Sequence, residues 1–100
     1  MRYALAMIKS FADKRTAAIF VGLCPKGTPP DVASVARRKL VMVDKAVDLN
    51  DLRSPPGNRL EALERDRKGQ HSIRVNAQWR VCFRWVVDGA EDVAFCDYHS

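Results

Sequence analysis

The chain has little of what would place it in a membrane, in a disulfide scaffold or around a zinc ion. No apolar stretch approaches the ~20 residues that a bilayer span requires. The opening Met1-Arg-Tyr-Ala-Leu-Ala-Met-Ile carries one positive charge before an apolar run too short for a secretory signal. Cysteine is sparse: Cys24, Cys82 and Cys96 are odd in number, widely spaced and without a C-x-x-C pair. That pattern argues against both a disulfide framework and a zinc site. The expectation is a cytoplasmic protein with reduced thiols and no metal or other cofactor. Internal repeats and low-complexity segments are absent too, which leaves an ordinary folded domain.

What is present fits that picture. One hundred residues suffice for one domain with a single core. Apolar residues make up 47% of the chain and charged residues 29%, the balance of a globular protein. Met7 opens the first strand pattern, so residues 1–6 are expected to be an extension and residues 7–100 the domain. The net charge of +5 favours an anionic partner such as nucleic acid. The cations are clustered as Arg37-Arg38-Lys39, then Arg65, Arg67 and Lys68, then Arg74, Arg80 and Arg84.

Periodicity outlines the elements. Met7 to Phe11 alternates apolar and polar residues as a short strand, and Asp13 can cap a helix running to about Leu23, with Ala17, Phe20 and Leu23 inward. Pro25, Gly27, Pro29 and Pro30 form a loop. Asp31 then caps a second helix to about Val47, with Val32, Val35, Ala36, Leu40, Val43 and Val47 on one face and Arg37, Arg38 and Lys45 solvated on the other. After the Pro55-Pro56-Gly57 loop come a short strand over Arg59 to Leu63 and a charged turn over Arg65 to Gly69. Strands follow from His71 to Val75, across Trp79 to Trp85, and, after an Asp88-Gly89 turn, from Asp92 to Tyr98. The fold class predicted is α+β: a small curled antiparallel sheet with two helices from the N-terminal half packed on one face. With Asp88-Gly89 as the two-residue turn, Cys82 opposes Phe95, and the Cys82 and Cys96 thiols point to opposite faces.

Chemistry concentrates in the last third. With Trp79, Val81 and Phe83 in the core, Arg80 and Arg84 share the opposite face, and Arg74 joins them from the neighbouring strand. A guanidinium fork makes two hydrogen bonds to phosphate oxygens and keeps its charge. Alternation alone equally allows solvent-facing arginines paired with acids across the strand. The chain finishes on Asp97-Tyr98-His99 before Ser100, at the rim of that face. Metal-free RNA cleavage needs a base for the 2′-hydroxyl, a cation for the phosphorane and an acid for the leaving 5′-oxygen. Histidine titrates in the required range; Tyr98 can stack on a base or handle a proton, and Asp97 can orient His99 or act as base.

Read together, Arg59-Leu-Glu-Ala-Leu, Asp66-Arg-Lys-Gly-Gln-His-Ser-Ile-Arg-Val-Asn, Gln78-Trp-Arg-Val-Cys-Phe and the terminal Asp97-Tyr98-His99 resemble the HigB toxins of the RelE/ParE superfamily. Met7-Ile-Lys-Ser-Phe and Pro55-Pro56-Gly57-Asn58 extend the resemblance over nearly the whole chain from Met7. It implies a RelE-like fold and a ribosome-dependent mRNA interferase that cuts messenger in the A site. It also implies a helix-turn-helix, HigA-like antitoxin through which the toxin meets operator DNA. Under that resemblance Arg80 steadies the scissile phosphate; its place between Trp79 and Val81 projects it away from the core, so its loss is expected to spare the fold. Asp97, Tyr98 and His99 supply positioning and proton transfer, and Arg59, Arg65, Arg67, Lys68, Arg74 and Arg84 contact RNA.

One departure stands out. After Leu63, where such toxins commonly carry a basic residue and then glycine, this chain has Glu64-Arg65. Glu64 cannot stabilise phosphate charge, so Arg65 or Arg67 substitutes, Glu64 serves as base, or activity is weak. His71 is a further candidate should the terminus be inert. The alternatives are a catalytically weak relative that acts as a regulatory partner of antitoxin and operator, and a gyrase-inhibiting toxin of the same superfamily.

Overall fold

The structure is a computed structural model that describes residues 7–97. Tyr98, His99 and the expected extension over residues 1–6 lie outside the described residues. Among those described, the order is β1 (Met7–Ile8), α1 (Lys14–Phe20), α2 (Pro30–Lys45), β2 (Glu61–Ala62), β3 (His71–Arg74), β4 (Trp79–Val86) and β5 (Gly89–Asp97). Short 3-10 turns occupy Leu49–Arg53, Pro56–Asn58 and Arg65–Arg67. The strands form one sheet in the order β1-β5-β4-β3-β2. The α+β class is as predicted, and β2 to β5 make the antiparallel meander. β1 departs from it by pairing parallel to β5, an arrangement that the long crossover between them permits.

One apolar layer holds helices to sheet. Ile19 of α1 and Ala36, Leu40 and Val43 of α2 meet Ile73, Val81, Phe83, Val93 and Phe95, all essentially inaccessible. Asp13 caps α1 as expected, its Oδ1 accepting from the Thr16 amide and hydroxyl, both at 2.7 Å. The predicted inner face of α1 is corrected in part: Thr16 and Ile19 are the buried positions, Phe20 packs half-buried against the core, and Leu23 is 62% exposed. The helix stops at Phe20 and Gly22 turns left-handed at φ 96°, so Leu23 never reaches the core side. Val47 is exposed likewise, because α2 ends at Lys45 and Ala46 is extended. Asp31 sits in the first turn of α2 and does not cap it; Pro29 takes the cap position and Pro30 the first helical one.

The β4–β5 hairpin is corrected as well. Val86 pairs with Gly89, so Val87-Asp88 is the two-residue turn and Gly89 belongs to the strand. A side chain at Gly89 would run into the Met7 carbonyl, so glycine here admits β1 to the sheet edge. The register then shifts between Cys82 and Arg84, and Asp92 on β5 adopts a left-handed φ of 54°. Beyond the bulge Cys82 opposes Ala94 and Cys96 opposes Arg80. The two thiols therefore share one face of the sheet, contrary to the turn-based expectation.

The loop before β2 is tied down by buried polar contacts. Asn58, fully buried, accepts from Lys39 Nζ at 2.6 Å and donates to the carbonyls of Leu52 (3.1 Å) and Ser54 (3.3 Å). Burial, then the neighbouring Arg38 charge, pulls the Lys39 ammonium below its ordinary pKa. Replacing Asn58 by Ala strands that ammonium and two carbonyls, and is expected to destabilise the domain by roughly 2–4 kcal/mol. Urea unfolding checks this; a midpoint equal to that of the parent chain would show that solvent satisfies these groups.

Candidate nucleic-acid interface

The face of the sheet turned away from the helices carries the cations. Arg74 of β3 and Arg80 of β4 are direct partners, and Ser72 opposes Cys82. Residues two apart along β4 share a face, so Arg80, Cys82 and Arg84 lie together, with Cys96 of β5 beside Arg80. Sequence alternation therefore placed Arg74, Arg80 and Arg84 together correctly. His71 is different: it opposes Phe83 on the core side and stacks on that ring at 6.4 Å between centroids. Its Nδ1 is buried and has no hydrogen-bond partner among the described residues.

Arg80 is buried, not exposed, with a relative accessibility of 6%. Its Nε donates to Ser72 Oγ at 2.7 Å, and its Nη2 to the Arg59 carbonyl at 2.7 Å and the Ser72 carbonyl at 3.4 Å. Glu61 Oε1 completes an ion pair at 3.4 Å. The guanidinium thus knots β2, β3 and β4 together beneath the basic face. The expectation that its removal spares the fold is corrected accordingly.

The 65–69 segment folds over this face. Gly69 lies against Arg84, where an added Cβ would come within 2.9 Å of Nη1. Arg67 Nη1 reaches across to Cys96 Sγ at 3.5 Å. The Cys82 and Cys96 thiols also interact, with opposite consequences. Hydrogen bonding from Cys82, reinforced by Arg67, pulls the Cys96 thiol below its ordinary range against the opposing effect of burial. Hydrogen bonding to Cys96, together with burial, pushes the Cys82 thiol up. The side chains of Arg59, Glu64, Arg65 and Lys68 are exposed around the rim. Arg65 has φ 57°, the left-handed conformation that favours glycine.

The strand leading to the terminal tripeptide is fixed from the helix side. The Phe95 amide donates to Thr16 Oγ1 at 2.9 Å, and its carbonyl accepts from Arg15 Nη2 at 3.0 Å. Trp79 stacks on Phe95 at 4.4 Å, with the Arg15 guanidinium over both rings. Asn76 Oδ1 accepts from the amides of Gln78 and Trp79, each at 2.8 Å, and so closes the β3–β4 turn. Asp97 opposes Trp79, on the face away from Arg80, and its Oδ2 accepts from Gln78 Nε2 at 3.2 Å. Sequence reasoning missed Arg15, Glu61, Ser72 and Cys96 as parts of this architecture. The signal for Cys96 was the β4–β5 register, which the bulge and the displaced turn concealed; Arg15, Glu61 and Ser72 meet their partners only through contacts between elements.

A family model described as the RelE-like toxin of type II toxin–antitoxin system HigB matches residues 9–99. The chain belongs to this HigB-like toxin family. Toxin HigB-1 of Vibrio cholerae is 46% identical over 72% of this chain and 75% of its own length. An uncharacterized protein of Haemophilus influenzae is 39% identical over 72% of the chain and 70% of its own length. Endoribonuclease HigB of Proteus vulgaris is 31% identical over 93% of the chain and its whole length. A type II toxin has an antitoxin as its partner.

Three substitutions in the toxin have defined outcomes. Arg80→Ala is expected to lower stability by roughly 2–4 kcal/mol, because it leaves buried acceptors unpaired. Arg74→Ala is expected to stay within about 0.5 kcal/mol. Denaturant midpoints that move equally for both would refute the buried knot. Arg65→Gly relieves a left-handed backbone that is unfavourable for a residue with a Cβ by about 1–2 kcal/mol, offset in part by glycine's greater unfolded-state entropy. It is expected to leave the melting temperature unchanged or raised, and a drop in a calorimetric scan would contradict that.

Proposed function

We propose that the toxin is a ribosome-dependent mRNA interferase that cleaves translated messenger in the cytoplasm without a metal. The observation that carries this reading is the shared face of Arg74, Arg80 and Arg84 under Arg67, in a chain 31% identical to a protein named Endoribonuclease HigB. In the proposed reaction a base takes the proton of the 2′-hydroxyl and that oxygen attacks phosphorus. The guanidinium charge at Arg80 steadies the phosphorane, and an acid returns a proton to the departing 5′-oxygen. Tyr98 and His99 supply the proton traffic. Asp97, held by Gln78 on the other side of the sheet, acts by positioning the strand end. Arg59, Arg65, Arg67 and Lys68 track the backbone, with Arg65 or Arg67 supplying the positive charge that Glu64 cannot. A HigA-like helix-turn-helix antitoxin neutralises the toxin and links it to operator DNA.

The decisive experiment is induction without antitoxin, with mapping of new mRNA 5′-ends. Cleavage within translated codons and arrested growth are expected. Intact messenger would leave the regulatory reading, and DNA damage without messenger cleavage would favour gyrase. A chain lacking Tyr98 to Ser100 is expected to fold, because Thr16 and Arg15 already hold Phe95. It should lose cleavage while retaining salt-sensitive ribosome binding. Parent-level cleavage by the truncated chain would remove the terminus from the site.

A further inference from the structure

The end of β5 is gripped from α1 by two consecutive residues, and the two grips differ in kind. Thr16 is fully buried, and its Oγ1 accepts from the Phe95 amide at 2.9 Å while donating to Asp13 Oδ1 at 2.7 Å. That grip belongs to the fold, because it joins the helix cap to the strand. Arg15 is exposed, and such a side chain ordinarily turns its charge to water or to a carboxylate. No carboxylate pairs with it among the described residues. Instead Nη2 donates to the Phe95 carbonyl at 3.0 Å, and the guanidinium carbon lies 5.3 Å and 5.2 Å from the ring centroids of Trp79 and Phe95. Those rings stack at 4.4 Å and 12°, and Trp79 is the direct partner of Asp97. Arg15 therefore holds both strands at the point where β5 reaches Asp97. Lys14, its exposed neighbour, makes no hydrogen bond or ion pair among the described residues. A cation on this helix does not acquire such contacts by place alone.

We propose that Arg15 is a positioning residue for cleavage: it fixes the direction in which β5 delivers Tyr98 and His99 to the arginine face, without touching RNA. The inference rests on the proposed function, in which those two residues carry the proton traffic. A planar guanidinium bonded to a carbonyl and laid over two rings has little freedom to turn, unlike a lysine ammonium. Tyr98 follows Phe95 by three residues, a reach of up to about 10 Å. A tilt of about 6° at Phe95 thus becomes about 1 Å at Tyr98, and a misplacement of that size can cost about 10²-fold in rate. Binding is a separate matter. Trp79 lies on the face of the sheet away from Arg74, Arg80 and Arg84, so Arg15 does not stand among those cations.

Full-length Arg15→Ala, Arg15→Lys and Lys14→Ala chains are compared with the parent in two ways. Amide hydrogen exchange, read by peptide mass on the free toxin, reports on the strand end without any chemistry. Arg15→Ala is expected to speed exchange in the peptide that follows Phe95 by about two- to tenfold, as loss of one hydrogen bond allows. The core strands should exchange as in the parent. Cleavage of messenger on programmed ribosomes is then followed in single turnovers over a range of ribosome concentrations. In Arg15→Ala the rate at saturation is expected to fall roughly 10–100-fold, with half-saturation within about twofold of the parent. Arg15→Lys keeps the charge and a donor and is expected to fall between the two. Lys14→Ala removes an equal charge and is expected to match the parent. Unchanged exchange at the chain end in Arg15→Ala overturns the proposal whether or not the parent cleaves. So does exchange that quickens throughout the sheet, which would make Arg15 a residue of general stability. Parent-level cleavage by Arg15→Ala with a loosened end overturns the positioning role. Weaker half-saturation at an unchanged maximal rate would replace it with a ribosome contact, and an equal loss in Lys14→Ala with an effect of net charge. A parent chain that cleaves no messenger refutes the proposed function, and the exchange comparison still decides whether Arg15 holds the strand end.

Discussion

The buried guanidinium of Arg80 is the contact on which the rest of this face depends. It belongs to β4, yet its hydrogen bonds end on Ser72 of β3 and on the backbone of Arg59 just before β2, with Glu61 of β2 as counter-charge. β2 has two residues, far fewer than a strand needs to hold its own place. Its position is set by Arg80 on one side and by Asn58, anchored to Lys39 of α2, on the other. The 65–69 turn leaves from β2, so the reach of Arg67 to Cys96 is inherited from the same knot. A charge that reads as a ligand-facing group thus also organises the surface that presents it.

The sheet divides its work between two faces. Burial of Ile73, Val81, Phe83, Val93 and Phe95 against the helices stabilises the fold. That leaves the opposite face to gather like charges, such as the directly opposed Arg74 and Arg80. Like charges in that relation are unfavourable by themselves. Glu61 offsets part of the repulsion, and a polyanion would offset more. A face of this kind holds like charges together on a sheet whose other face is packed core.

Asn76, Trp79, Arg80 and Phe83, which lie in the segments that pointed to a toxin family, turn out to serve largely as a folding motif. Asn76 closes the β3–β4 turn, Trp79 stacks on Phe95 beneath Arg15, and Phe83 is core. Arg80 serves the fold as well as the charged face. Family membership is legible from such residues because the scaffold needs them.

The sequence by itself determined the α+β class, both helices, the β3–β5 meander and the grouping of Arg74, Arg80 and Arg84, because these follow from periodicity that neighbours cannot override. The family was legible as well, from motifs spread along the chain. Other features escaped because each depends on contacts distant in sequence. The parallel β1 edge requires Gly89 to admit the Met7 backbone, which moves the hairpin turn by one residue. The bulge near Asp92 then shifts the register and brings Cys96 beside Arg80, onto the face shared with Cys82. The burial of Arg80 depends on Arg59 and Glu61, some twenty residues upstream. Local sequence sets which face a side chain takes along its own strand; only tertiary pairing decides which side chain stands next to it.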